Sequence, residues 1–135
     1  MIYMLGEIIG ELRGKITGNR VVSVECCPKI ESSFQDIGKI LDVEVTDLGT
    51  VWTTFKEDGG LSGEGHGIVF TNDGEIITWT CQGVGKMKGK AMEWRGSAFF
   101  NTSSEKLARL NGILGIFEYD IDEEGNTQEK LWEYK

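Results

Sequence analysis

Period two dominates the chain. Gly6, Ile8, Gly10, Leu12, Gly14 and Ile16 alternate with Glu7, Ile9, Glu11, Arg13 and Lys15. One small-or-apolar face backs a mostly charged one, as in a half-buried strand. Similar alternation runs through about 21–26, 29–35, 39–47, 50–56, 61–71, 75–85, 90–100, 113–122 and 127–134. Allowing for runs that merge across bends, the pattern predicts eight to ten strands.

The joints read as turns. Lys56-Glu57-Asp58-Gly59-Gly60, Thr71-Asn72-Asp73-Gly74-Glu75 and Asp122-Glu123-Glu124-Gly125-Asn126 share one form, with two acidic or amide residues before a glycine. That suits a three-residue loop whose third residue is left-handed. Strands joined by such loops form an antiparallel meander. Glycine inside so many strands points to bends and close packing, as in a closed barrel, which also removes exposed strand edges. The period breaks once. Thr102-Ser103-Ser104-Glu105 has the form of a capping box, Lys106 to Leu110 read as a short helix with Leu107 and Leu110 on one face, and Asn111-Gly112 is its stop. The predicted fold is therefore all-β: one domain over residues 1–135, an antiparallel meander closed into a barrel of about eight strands, with one short helix near 103–110.

The loops set the register. If Glu57, Asp58 and Gly59 form the first, Phe55 faces Leu61, Thr53 faces Gly63 and Val51 faces Gly65. If Asn72, Asp73 and Gly74 form the second, Val69 faces Ile77, Gly67 faces Trp79 and Gly65 faces Cys81. If Met87 and Lys88 turn the next, Trp79 faces Gly96, Cys81 faces Trp94 and Gly83 faces Met92. Large residues then meet small ones. One face collects Val51, Phe55, Leu61, Val69, Ile77, Trp79, Cys81, Met92, Trp94 and Ala98, the natural interior. The other collects Trp52, Glu64, His66, Thr78, Thr80, Gln82, Glu93, Arg95 and Ser97. In the last hairpin Phe117 faces Leu131 and Glu118 faces Lys130. A two-residue turn at Asp73-Gly74 would instead set His66 against Cys81 and Glu64 against Gly83.

Composition narrows the function. Of 135 residues, 19 are glycine, one is proline and the net charge is −8. The glycines have no three-residue period, which excludes collagen. An acidic chain repels phosphate backbones and anionic lipid, so neither nucleic acid nor membrane is an expected partner. No apolar run approaches the roughly 20 residues of a membrane helix. The apolar start from Met1 to Leu5 meets Glu7 and Glu11 at once, without the basic start or cleavage site of a signal peptide. Cys26, Cys27 and Cys81 fit no metal-ligand spacing, and reduced thiols in the cytoplasm are expected. Asn101-Thr102-Ser103 matches a glycosylation pattern, but with no secretory signal the match has no expected use.

Candidate chemistry falls into two sets. Gly63-Glu64-Gly65-His66-Gly67 lacks the spacing and lysine of a phosphate loop. His66, the only histidine, cannot build a multi-histidine metal site. With Glu64 and Arg95, and with Glu93 and Gln82 nearby, it could form an acid–base set if that face lines a lumen, or a salt-bridge lattice if it faces out. The inward set, Trp79, Trp94, Met92, Cys81 and Phe117, could line a ligand cavity or simply fill the core, since eight strands enclose just enough room for side chains or one small ligand. Trp52, Ile68, Phe70 and Ile76 on the outer face would form a homo-oligomer contact if exposed together.

The run Gly63-Glu64-Gly65-His66-Gly67, the hairpin at Asn72-Asp73-Gly74, Trp79-Thr80-Cys81-Gln82-Gly83-Val84-Gly85 and Trp94-Arg95-Gly96 resemble small uncharacterised prokaryotic proteins with an allene-oxide-cyclase-like, calycin-type β-barrel. The likeness runs from about Gly6 to the end. It implies a lumen for a small, often hydrophobic ligand and frequent oligomerisation; it transfers no cyclase residues. The leading expectation is a cofactor-free barrel that binds a small apolar or amphipathic molecule through Trp79, Trp94, Met92, Cys81 and Phe117. The alternatives are an isomerase or cyclase using His66 or Glu64 for proton transfer with Arg95 for charge stabilisation, and a ligand-free structural oligomer.

Overall fold

A computed structural model describes residues 5–134; most of the apolar start at Met1 to Leu5 lies outside the described residues. Eight strands follow in order: β1 (Ile8–Ser23), β2 (Lys29–Ile40), β3 (Val43–Phe55), β4 (Leu61–Thr71), β5 (Ile76–Lys88), β6 (Ala91–Thr102), β7 (Leu114–Ile121) and β8 (Asn126–Tyr134). Each pairs antiparallel with the next, and β8 pairs with β1, so the sheet closes into a barrel. Side chains alternate between lumen and solvent, and the inward apolar ones form a single core.

The three glycine loops form as the sequence predicts. Lys56 N donates to Gly60 O, Thr71 N to Glu75 O and Asp122 N to Asn126 O, each at 2.9 Å. Gly59, Gly74 and Gly125 take φ of +89°, +89° and +86°, a conformation that disfavours any side chain. The pairs Phe55 with Leu61, Val69 with Ile77, Gly67 with Trp79 and Phe117 with Leu131 all hold. The alternative two-residue turn at Asp73-Gly74 does not form.

Four expectations need correction. Met87 and Lys88 do not turn the β5–β6 hairpin. The strand continues to Lys88, which pairs with Ala91, and Gly89 with φ +63° begins a two-residue turn. Trp79 therefore faces Phe100, Cys81 faces Ala98 and Gly83 faces Gly96. The shift is an even number of residues, so every side chain keeps its predicted face. The run 39–47 is not one strand. Leu41 and Asp42, with φ +49° and +64°, turn the chain between Ile40 and Val43. On β1 a bulge between Ile8 and Gly10 buries Ile9 and exposes Ile8, the reverse of simple alternation. Last, the helix is a 3-10 turn over Ala108–Gly112 without a capping box. Asn111 holds it by accepting from Thr102 N (2.8 Å) and donating to Thr102 O (2.9 Å). Leu107 and Leu110 are fully buried in the core beside it.

Candidate site in the barrel lumen

Strands β2 and β3 carry two carboxylates inward. The buried positions of β2 include Ser32, Phe34, Asp36 and Ile40; those of β3 include Val45, Asp47, Gly49 and Thr53. Asp36 and Asp47 are direct cross-strand partners, 0% and 5% exposed. Glu129 on β8 joins them from across β1, opposite Leu12 on one side and Tyr119 on the other.

Each Asp has one hydrogen-bond donor supplied by the architecture. Asp36 Oδ1 accepts from Thr127 Oγ1 at 2.5 Å. Thr127 lies on β8 and Asp36 on β2, and Gly14 of β1 sits between them in register with both. A Cβ on Gly14 would stand 2.4 Å from Asp36 Oδ1 and 2.0 Å from Gln35 O. Glycine there lets two strands that do not touch share a hydrogen bond. Asp47 Oδ1 accepts from Trp79 Nε1 at 2.7 Å. The indole reaches it by lying across Gly67 and Gly49, where a Cβ would come within 2.4 and 2.7 Å of Trp79 Cζ2. Phe34 stacks on Trp79 (centroids 6.0 Å apart) and tilts against Tyr119 (5.5 Å). Asp36 Oδ2 and the Tyr119 hydroxyl are buried with no hydrogen-bond partner among the described residues, an uncommon state for buried polar atoms.

A cavity of about 80 Å³ opens along this set. Its wall includes Phe34, Trp79, Trp94, Phe100, Phe117 and Met92, with Asp47, Glu129, Tyr119 and Cys81 among them. That volume exceeds the roughly 10–15 Å³ one water needs. No lysine, arginine or histidine among the described residues lines it.

With no cation nearby, burial decides the titration of these groups. Burial pushes Asp47 up to about 7, against the pull of the Trp79 hydrogen bond, and the charge of Asp36 adds to the rise. Burial pushes Asp36 up to about 6, opposed by Thr127. Glu129 is held well above the ordinary carboxylate range by burial and then by the charges of Asp47 and Asp36. Burial likewise pushes the Cys81 thiol up to about 12 and raises the Tyr119 phenol. Near neutral pH Asp47 is therefore close to half-protonated and Asp36 mostly ionised, so the lumen holds a carboxyl that can donate as well as accept.

All five residues expected to line a cavity, Trp79, Trp94, Met92, Cys81 and Phe117, do line it. Glu64, His66 and Arg95 lie on the outer face and are exposed, though Glu64 also borders the cavity. His66 sets the edge of its ring against Trp52, centroids 5.1 Å apart. Arg95 binds Asp120 at 3.0 Å and Trp94 O at 2.7 Å, an exposed lattice of small energetic value. Trp52 is half-buried and donates to Glu31 at 3.0 Å. Beside it Leu48, Ile68, Phe70 and Ile76 leave 44%, 41%, 39% and 49% of their surface exposed on neighbouring strands. Sequence reading missed Asp36, Asp47, Glu129 and Tyr119. The signal was there: Asp36 sits in phase with Phe34 and Ile40, Asp47 with Val45, and Glu129 with Leu131.

No family model matches the chain, and no curated protein matches it. Solved structures do. A protein with unknown function from Clostridium acetobutylicum ATCC 824 aligns with a TM-score of 0.83 and 12% identity, over 96% of this chain and 97% of that one. A beta-barrel-like protein from Acinetobacter baumannii AYE aligns at 0.81 and 12%, over 96% and 94%. An enzyme from Penicillium herquei aligns at 0.68 and 17%, over 100% and 98%. At such identities the likeness is one of fold: an eight-stranded antiparallel barrel shared with proteins of unknown function.

Proposed function

We propose that the chain is a small-molecule-binding barrel whose lumen takes a small, mostly apolar molecule bearing one polar group. The observation that carries this is the cavity itself: mostly apolar on its wall, with several aromatic rings, and with Asp47, Glu129 and Tyr119 converging on it. Concave, largely apolar space with a few polar groups is the usual form of a ligand site. The allene-oxide-cyclase-like, calycin-type reading is supported by the closed meander with an internal lumen. Native mass spectrometry of gently purified protein, repeated after denaturation, tests the proposal. A mass excess lost on denaturation is expected. Bare protein that also fails to take up any of a panel of apolar probes small enough for a cavity of about 80 Å³ would overturn it.

A second reading, acid–base catalysis of an isomerase or cyclase type, has one supporting observation. Asp47 is pushed up to about 7, the range in which a carboxyl both gives and takes protons at neutral pH. In this reading Asp47 and Glu129, rather than the exposed His66 and Glu64, carry the proton. The solved neighbour described as an enzyme lends it fold-level company only. The homo-oligomer reading is supported by the contiguous apolar outer face of Leu48, Ile68, Phe70 and Ile76; size-exclusion chromatography with light scattering decides it, and a monomer at micromolar concentration ends it.

A further inference from the structure

We infer that the lumen selects an organic ammonium ion, a small primary or secondary amine on an aromatic or hydrocarbon body, over neutral and anionic molecules of the same shape. This rests on the lumen being a ligand site and names the class of ligand. Three observations carry it. Asp47 and Glu129 line one cavity from two strands, Asp36 is buried as the cross-strand partner of Asp47, and no lysine, arginine or histidine among the described residues lines the cavity to balance them. Tyr119, 7% exposed, lines the cavity, and its buried hydroxyl has no hydrogen-bond partner among the described residues. The remaining wall is rich in aromatic faces, Phe34, Trp79, Trp94 and Phe117, which attract a cation through their ring quadrupoles.

The spacing of the acids points to an organic cation rather than a metal. No group of three His, Cys, Asp or Glu among the described residues is gathered closely enough to hold a metal ion. An ammonium needs no cage of three acids. One N–H donates to the carboxylate of Asp47 or Glu129 while the carbon body lies on the rings.

Proton balance gives the inference a signature. The titratable groups lining the cavity are Asp47 from β3, Cys81 from β5, Tyr119 from β7 and Glu129 from β8, with Glu64 of β4 at its border and Asp36 of β2 buried beside Asp47. An ammonium ion entering near neutral pH favours the ionised form of a carboxyl beside it. That acid releases its proton to the buffer, the nitrogen keeps its own, and up to one proton leaves per ligand bound. A neutral ligand releases none.

The test uses the full chain and three probes small enough for a cavity of about 80 Å³: n-propylamine, n-propanol and propionate. Binding is followed by calorimetry at pH 7 in buffers of different ionisation enthalpy. Propylamine is expected to bind roughly tenfold or more tightly than propanol, with propionate weakest, and only the amine should release protons. Asp47→Asn and, independently, Glu129→Gln should each weaken propylamine about tenfold and leave propanol within about twofold. If propanol or propionate binds as well as the amine, or the amine binds without proton release, the selectivity is wrong while the ligand site stands. If no probe binds, both the selectivity and the ligand site fall.

Discussion

Asp47 and Gly67 show how single residues set the lumen. Asp47 holds Trp79 in place, yet its charge is disfavoured where it sits. Asn at this position keeps an oxygen to accept from Trp79 Nε1 and removes the titration. Asp47→Asn should therefore raise stability at pH 8 by about 1–3 kcal/mol and change it little at pH 5, read from chemical denaturation at the two pH values. Gly67 matters for the opposite reason, since any side chain there meets the Trp79 ring at 2.4 Å. Gly67→Ala should destabilise by about 1–3 kcal/mol and shift the emission of Trp79, because the indole must leave Asp47. A variant of unchanged stability and emission would show that the ring can yield without loss.

Among the elements, the hairpins separate what the sequence made legible from what it hid. Wherever a glycine closed a three-residue loop, the register followed, and with it the inward row from Val51 to Ala98. The β2–β3 turn carries no such mark. Leu41 and Asp42 are an unusual pair for two successive positive φ angles, a geometry that favours Asn-Gly. Reading through them as strand reverses the phase, because a two-residue turn moves the inward set from even to odd positions. That is why Asp47 was not placed inward and not set opposite Asp36. The bulge at Ile8 and Ile9 was hidden similarly: both residues are isoleucine, and only pairing with β8 decides which is buried. Replacing Leu41-Asp42 by Asn-Gly should stabilise the barrel by about 1 kcal/mol, measured as a higher denaturation midpoint with unchanged slope. A fall in stability would show that Leu41, half-buried against the core, contributes more than its backbone strain costs.

Over the whole molecule, the lumenal acids set how stability follows pH. Their folded values lie above the ordinary carboxylate range, so between about pH 4 and 7 the folded state keeps protons that the unfolded state has released. Stability from these groups is present in full below about pH 4 and is lost as pH rises through about 6 for Asp36 and about 7 for Asp47. The exposed carboxylates Asp73 and Asp122 and the half-buried Glu31 are held low by hydrogen bonds. They work in the other direction and below that window. The melting temperature should therefore be about 10 °C higher at pH 5 than at pH 8, by scanning calorimetry in matched ionic strength. A flat profile between these values would mean that water or a bound molecule solvates the lumenal acids.

The seam between β1 and β8 has a consequence for how the chain reaches this state. β8 follows all the other strands, yet it supplies Glu129 and Thr127, the one hydrogen-bond donor to Asp36 among the described residues. Until it docks, seven strands form an open, curled sheet with two unpaired borders and its aromatic inner wall exposed to water. The acid cluster is complete only when the first strand and the last meet, the contact of greatest sequence separation in the barrel. Closure of the barrel and completion of its lumen are then one event, expected to be the slowest in folding. A kinetic probe of the lumen, such as recovery of Trp79 fluorescence, should keep pace with the final closure and lag behind the early gain of strand structure.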